Sequence, residues 1–300
     1  MSLDKSLTLF EAETVTEVAR GLQFTEGPLW DPRGFFYFAD VRASMLYKLT
    51  VGLSPHPVRS TRGGSGLTFD GQGCLVQCEG AARRVTRWCP ETERLDVIAD
   101  FAEGHRLNRP NDVVCSEDGT IYFSDPDKML PVKDREVEAG VWRLRPEGGI
   151  EQIVKCEFPN GLAFSPDERR MYVANTRFQK YLHAVDFHEN GEVSRQSIFA
   201  DMSHGVGAGV PDGVKVDVEG NVYCTGPGGI WAFTPNGQHV ATQPFPTTPA
   251  NMAFGGQDMR TLLVCARESV YTVRMRVPGL SSAWQRRVVD RLKSGNSGAQ

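Results

Sequence analysis

The chain has 300 residues, 33 Lys and Arg against 37 Asp and Glu, and a formal net charge of −4. Charges of both signs are interspersed, which excludes nucleic acid and anionic membrane as expected partners, and no apolar window approaches the roughly 18 residues of a bilayer span. Gly 31 and Pro 18 suit a turn-rich all-β chain, and no long stretch carries sustained helical periodicity.

The start, Met1-Ser2-Leu3-Asp4-Lys5, lacks the basic-then-apolar layout of a secretory leader. From there to about residue 20 the chain turns to alternation (Val15, Glu17, Val18, Arg20) and is predicted to supply an outer strand that closes a ring, removing a free sheet edge. A repeating unit follows: a polar residue, a short apolar run, a tight turn and a second apolar run. Glu26-Gly27-Pro28-Leu29-Trp30-Asp31 leads into Phe35-Phe36-Tyr37-Phe38, and Ser65-Gly66-Leu67-Thr68-Phe69-Asp70 into Cys74-Leu75-Val76. Asn111-Asp112-Val113-Val114-Cys115-Ser116 leads into Ile121-Tyr122-Phe123, and Asn160-Gly161-Leu162-Ala163-Phe164 into Met171-Tyr172-Val173-Ala174. Asp212-Gly213-Val214-Lys215-Val216 leads into Val222-Tyr223, and the weakest copy runs from Asn251-Met252-Ala253-Phe254-Gly255 into Leu262-Leu263-Val264-Cys265. Each copy adds a third apolar run, such as Val141-Trp142-Arg143-Leu144 or Ile230-Trp231-Ala232-Phe233.

Six copies at a spacing of roughly 40 to 50 residues predict a six-bladed β-propeller, with four-stranded antiparallel blades around a central channel. The repeat is unbroken, so residues 1–300 are expected to form one domain, with 1–6 and 294–300 as disordered tails. Asp125 to Ala139 is charged and predicted as an exposed loop. The glycines of Gly205-Val206-Gly207-Ala208-Gly209 open no helix after a strand and are predicted as a loop, not a nucleotide cradle. The seven cysteines (Cys74, Cys78, Cys89, Cys115, Cys156, Cys224 and Cys265) are odd in number and scattered through strand-like runs. They are expected to be reduced thiols of a cytoplasmic protein, with Cys74 and Cys78 on one face of one strand as small apolar groups.

In every copy the lead polar residue opens the first strand. Pseudo-symmetry then aims Glu26, Ser65, Asn111, Asn160, Asp212 and Asn251 at one small volume. Two carboxylates there balance a divalent cation, and Asn111 and Asn160 add neutral amide oxygens. Oxygen donors without His or Cys favour Ca²⁺, with Mg²⁺ and Mn²⁺ behind it and Zn²⁺ the least suited alternative. The competing expectation is that lead Asn and Asp residues merely cap strand starts and turns.

The motifs Phe24-Thr25-Glu26-Gly27-Pro28, Arg109-Pro110-Asn111-Asp112, Phe158-Pro159-Asn160-Gly161-Leu162, Pro211-Asp212-Gly213, Gly228-Gly229-Ile230-Trp231 and Asn251-Met252-Ala253-Phe254-Gly255-Gly256 cover nearly the whole chain in order. In these the chain resembles the SMP-30/gluconolactonase/regucalcin-like family of six-bladed β-propellers, nearest its gluconolactonase-like bacterial branch. The resemblance implies a divalent metal, usually Ca²⁺, held by Glu26, Asn160 and Asp212, with Asn111 as a fourth ligand or a substrate contact. It also implies Asp212 as catalytic acid/base, and Arg109 and Asn111 as substrate-orienting groups. Ser65, the stretch Glu79-Gly80-Ala81-Ala82 and the segment Asp127-Lys128-Met129 depart from the family pattern near the channel mouth, where they bear on the substrate more than on the chemistry. Ser65, Glu79, Asp125, His105 and His204 receive no assigned role.

The expected function is hydrolysis of a small-molecule sugar lactone, such as gluconolactone. A metal would polarise the carbonyl while Asp212 assists water attack. No Gly-x-Ser-x-Gly elbow or serine triad is present to offer a nucleophile. Two alternatives remain: hydrolysis of other esters or organophosphates at the same site, and a non-catalytic calcium-binding or scaffold propeller.

Overall fold

A computed structural model describes residues 9–127 and 129–296, with side chains to residue 294. Among the described residues the strands form six four-stranded antiparallel sheets and one two-stranded hairpin (Phe101–Ala102 with His105–Arg106). Five sheets take their strands in sequence order, so each is a meander: blade 1, for example, is Thr25–Asp31, Phe35–Asp40, Met45–Leu49 and His56–Ser60. The sixth is composite. Its outermost strand is Thr16–Arg20, which pairs antiparallel with Ser269–Arg274. The alternating N-terminal segment therefore closes the ring as predicted, supplying the fourth strand of the last blade and covering the edge that Ser269–Arg274 would otherwise expose.

The apolar runs follow from this arrangement. Six hydrophobic clusters each sit between two neighbouring blades: Tyr37 and Leu46 meet Leu67 and Leu75, and Tyr122 and Val141 meet Leu162 and Val173. A middle strand is thus covered on both faces, and all six residues of Phe35–Asp40 are buried. Two-sided burial selects continuous apolar runs over polar/apolar alternation.

Five of the six inner strands share one irregularity; Asn251–Gly255 pairs regularly from its lead residue. Their pairing slips between Glu26 and Leu29 in blade 1, between Gly64 and Leu67 in blade 2, and between Pro159 and Leu162 in blade 4. In blades 3 and 5 pairing starts only at Val113 and Val214, just past the lead residue. A bulge frees a residue from the ladder and re-aims its side chain. Here it does so at the same place in successive blades.

Two expectations need correction. Cys74 and Cys89 form a disulfide, because the hairpin that pairs Leu75 with Trp88 sets the preceding and following residues opposite each other. Cys74 precedes the strand that carries Cys78, and only Cys78, Cys115, Cys156, Cys224 and Cys265 are free. The chain also contains a helix, α1 (Ala283–Asn296), running into the stretch expected to be a disordered tail. Residues 1–6 and 297–300 lie outside the described residues. A capping box starts α1: the Ser282 N–H donates to Gln285 Oε1 (2.8 Å) and the Gln285 N–H to Ser282 Oγ (3.3 Å). Trp284 packs on Phe69 with ring centroids 4.0 Å apart, and Gln285 Nε2 donates to the Trp30 carbonyl at 2.7 Å. The helix thereby covers the channel end opposite the lead residues, over a cavity of about 200 Å³ lined by inner-strand residues such as Leu29 and Lys215. Among the described residues no helix is long and apolar enough to cross a membrane.

Candidate active site at the channel axis

The six lead residues meet at the axis in two hydrogen-bonded runs. Ser65 Oγ donates to Asn111 Oδ1 (3.0 Å) and Asn111 Nδ2 to Asn160 Oδ1 (2.8 Å). Asp212 has Asn160 as its hydrogen-bonding neighbour. Across the ring, Asn251 Nδ2 and the Gly27 N–H both donate to Glu26 Oε2, at 2.9 and 2.8 Å.

Close contact between blades explains the glycine after most lead residues. A Cβ on Gly27 would stand 2.0 Å from the Ser65 carbonyl, and one on Gly161 2.1 Å from the Asp212 carbonyl. Gly213 meets Asn251 Oδ1 in the same way, at 2.3 Å. Without Cβ atoms, the backbones approach closely enough for the Gly66, Gly161 and Gly213 N–H groups to donate to the carbonyls of Asn111, Asp212 and Ala250 in the next blade. The Asn-Gly and Asp-Gly pairs are therefore not mere strand caps; they are where blades touch.

Electrostatically the site is under strain. Burial first, opposed by its hydrogen bonds, pushes the Glu26 carboxyl up to about 7. Burial, then the charges of Glu26 and Asp112, holds Asp212 well above the usual carboxylate range. Asp112 is a third acid at the axis that the sequence analysis did not single out. Its Oδ1 accepts from the Val113 N–H (2.9 Å) and its Oδ2 from the Leu162 N–H of the next blade (3.2 Å), and burial raises it too. Among the described residues no ion pair reaches any of the three. The charge of Lys215 moderates Glu26 and Asp112, but its ammonium donates its hydrogen bond to the Val214 carbonyl.

Two further residues support the site: Thr176, which the sequence analysis did not name, and Asp125, to which it gave no role. Thr176 Oγ1 donates to the Pro211 carbonyl (2.8 Å), so it can only accept from Asn160 Nδ2 (2.9 Å). That fixes the amide with its oxygen turned toward the ring. Asp125 is buried, pushed up to about 7 by that burial, and its Oδ2 accepts from the Asn108 N–H (2.7 Å), holding the turn that presents Arg109 and Asn111. Arg109 has no ion-pair partner among the described residues, and its Nε lies 3.8 Å from where a Cβ on Gly80 would stand. Asn111 Oδ1 is engaged by Ser65, leaving its Nδ2 facing the ring.

His105 lies in the exposed hairpin and His204 packs edge-on to Trp231 at 5.3 Å, both apart from this cluster. Lys128 lies outside the described residues. Among the described residues no three His, Cys, Asp or Glu side chains gather as a metal-ligand group. A cation at the axis would rest on two carboxylates completed by amide oxygens.

Comparison with known proteins places this geometry. The chain is 31% identical to a gluconolactonase of Zymomonas mobilis over 300 residues, covering 90% of this chain and 84% of the relative. It is 31% identical to a 6-deoxy-6-sulfogluconolactonase of Pseudomonas putida over 138 residues, 40% of this chain and 47% of that one. The solved structure of a gluconolactonase from Xanthomonas campestris superposes with a TM-score of 0.83 at 26% identity, covering 91% of this chain and 93% of the other. Residues 24–268 match the SMP-30/Gluconolactonase/LRE-like region, a span that holds all six lead residues, and the chain belongs to that family.

Proposed function

We propose that the protein is a sugar-lactone hydrolase that uses a divalent cation, Ca²⁺ in the first instance, held at the axis by Glu26, Asn160 and Asp212 with Asn111 beside them. The observation that carries the reading is the convergence of Glu26 and Asp212 in one buried volume with an oriented amide oxygen and no basic partner. Two such carboxylates repel each other and both resist ionisation. A hard dication matches that donor set. Bound there, it would supply positive charge to the pair and to the oxyanion that develops as a lactone carbonyl is attacked.

The chain's own residues account for the rest. Asp212 keeps partial exposure to the channel, so a water can reach it, and its carboxylate takes the proton that water loses on attacking the ring carbonyl. Arg109, unpaired at the mouth, offers a planar fork of donors to ring hydroxyls. Asn111 Nδ2 donates one N–H to Asn160 Oδ1 and has a second to offer the substrate. As the ring C–O bond breaks, the proton held by Asp212 passes to the departing ring oxygen, and the product is the open hydroxy acid, its carboxylate formed from the lactone carbonyl and the incoming oxygen.

Asp212→Asn is expected to lower kcat by roughly 100- to 10,000-fold, the range for loss of a general base, with an unchanged circular dichroism spectrum. Near wild-type turnover in that variant would refute the assignment. Sugar lactones, aryl esters and a phosphotriester assayed with and without Ca²⁺ separate lactone hydrolysis from the broader esterase reading. Activity that survives complete chelation would remove the metal from the proposal.

A further inference from the structure

We propose that an arginine-lined recess between blades 1 and 2, on the same face as the channel mouth, is an oxyanion-binding subsite. Its ligand carries a phosphate, sulfonate or carboxylate group. The recess has a volume of about 950 Å³ and presents Arg59, Arg62, Arg84 and Arg106, against Glu79 and Asp100 as the acids on its lining among the described residues. The whole chain is net negative. A concave surface of the opposite sign on such a protein focuses its field on anions.

The floor of the recess is built and rigid. Glu79 is fully buried and lies between two guanidiniums: Arg59 Nη1 donates to its Oε1 at 3.2 Å, and Arg84 Nε and Nη2 to its Oε2 at 2.8 and 2.6 Å. One carboxylate holding two guanidiniums leaves a net positive charge in fixed geometry. Arg59 is pinned further by a bond from Nη2 to Gln77 Oε1 (2.8 Å) and by the Trp88 ring 5.7 Å from its guanidinium carbon. Arg59 Nε, on the lining, and Gln77 Nε2, behind it, are buried donors with no hydrogen-bond partner among the described residues. At the rim, Arg62 is exposed with no ion pair, and Arg106 donates from Nη2 only to the Ala82 carbonyl (3.2 Å). An ordinary surface salt-bridge cluster would match these two rim guanidiniums with carboxylates. None is present among the described residues.

The recess adjoins the axis. The turn Gly80–Ala82 is their common wall: Ala81 and Ala82 line the recess, while Gly80 packs against Arg109 and the Pro110 carbonyl. Gly63, on the recess lining, lies two residues from the lead residue Ser65. An anionic substituent on a lactone at the axis is therefore the ligand that uses both sites. That use rests on the lactonase reading; the affinity for an anion does not.

The test titrates inorganic sulfate into the intact protein by calorimetry, and compares KM for gluconolactone with KM for 6-phosphogluconolactone. Arg62→Gln and Arg106→Gln leave the buried Glu79 cluster intact. Each is expected to weaken sulfate binding on the order of 10-fold, as loss of a charge-assisted contact does, and gluconolactone kinetics should not change. A parallel rise in KM for the phosphorylated lactone, at constant kcat, identifies the ligand as a substrate substituent. A response of sulfate binding alone identifies a free anion, which still occupies the subsite. Equal sulfate affinity in the wild type and the double variant, or no binding in either, overturns the proposal. Absence of all lactonase activity would sink the functional reading and leave the sulfate titration to decide this one.

Discussion

Thr176 carries more of the site than its place on the far side of Asn160 implies. Its hydroxyl has one proton, given to the Pro211 carbonyl, so it holds the Asn160 amide in a single orientation and ties it to the residue preceding Asp212. Thr176→Val removes both bonds, leaving a buried carbonyl and amide unpaired at a cost of about 1–3 kcal/mol. It should also weaken Ca²⁺ binding by about 10- to 100-fold, the usual effect of losing a group that orients a ligand. Thermal melts read the first and calorimetric Ca²⁺ titration the second; unchanged affinity would show that Asn160 needs no such support. Gly161→Ala acts through sterics: the new Cβ would press on the Asp212 carbonyl. The expected loss is roughly 1–3 kcal/mol, with kcat falling as the Asp212 backbone is displaced. Neither effect could be derived from sequence spacing, because Thr176 reaches the axis from the far end of a second strand.

At the scale of elements, α1 is the part that the repeat could not predict. Its signal was present as Ser282-Ala283-Trp284-Gln285, a helix-start signature followed by Arg286, Arg287, Val288 and Val289. It sits outside the blades, where a search for 40- to 50-residue repeats finds nothing. Gln285 both completes the cap and bonds to the Trp30 carbonyl, so Gln285→Ala is expected to lower stability by about 1–2 kcal/mol. In a chain of this length that is a drop of several degrees in melting temperature. Lactone turnover should be unaffected, since α1 covers the opposite end of the channel. A fall in kcat would mean that the helix communicates with the axis. The Cys74–Cys89 bridge was missed for a related reason. Fifteen residues apart, the two are unremarkable in sequence and become neighbours only through the register of one hairpin.

For the molecule as a whole, the acids at the axis tie stability to pH and to metal. Glu26 is raised from 4.5 to about 7 in the folded protein, so the folded state holds its proton more tightly than the unfolded chain. Its stabilising contribution is complete below about pH 4.5 and is lost as pH rises through about 7, a change on the order of 3 kcal/mol at most. The metal-free melting temperature is therefore expected to fall between pH 5 and 8, and Glu26→Gln should flatten that slope. Ca²⁺, binding the ionised pair, should raise the melting temperature more at pH 8 than at pH 5. A Ca²⁺ effect independent of pH would place the ion elsewhere.

Sequence alone determined the number of blades, the strand that closes the ring, and the lead residues that meet at its centre. Each of these follows from local periodicity and from a residue type recurring at one register position. The tertiary structure alone decided the rest: Asp112 as a third acid, Thr176 as the anchor of Asn160, the disulfide, and the arginine recess between blades 1 and 2. These depend on which strand ends and loops of different blades come within a few ångströms of each other. Repeat spacing defines a ring, but the contacts between neighbouring blades are set by packing at each interface, and no two of the six interfaces have the same side chains.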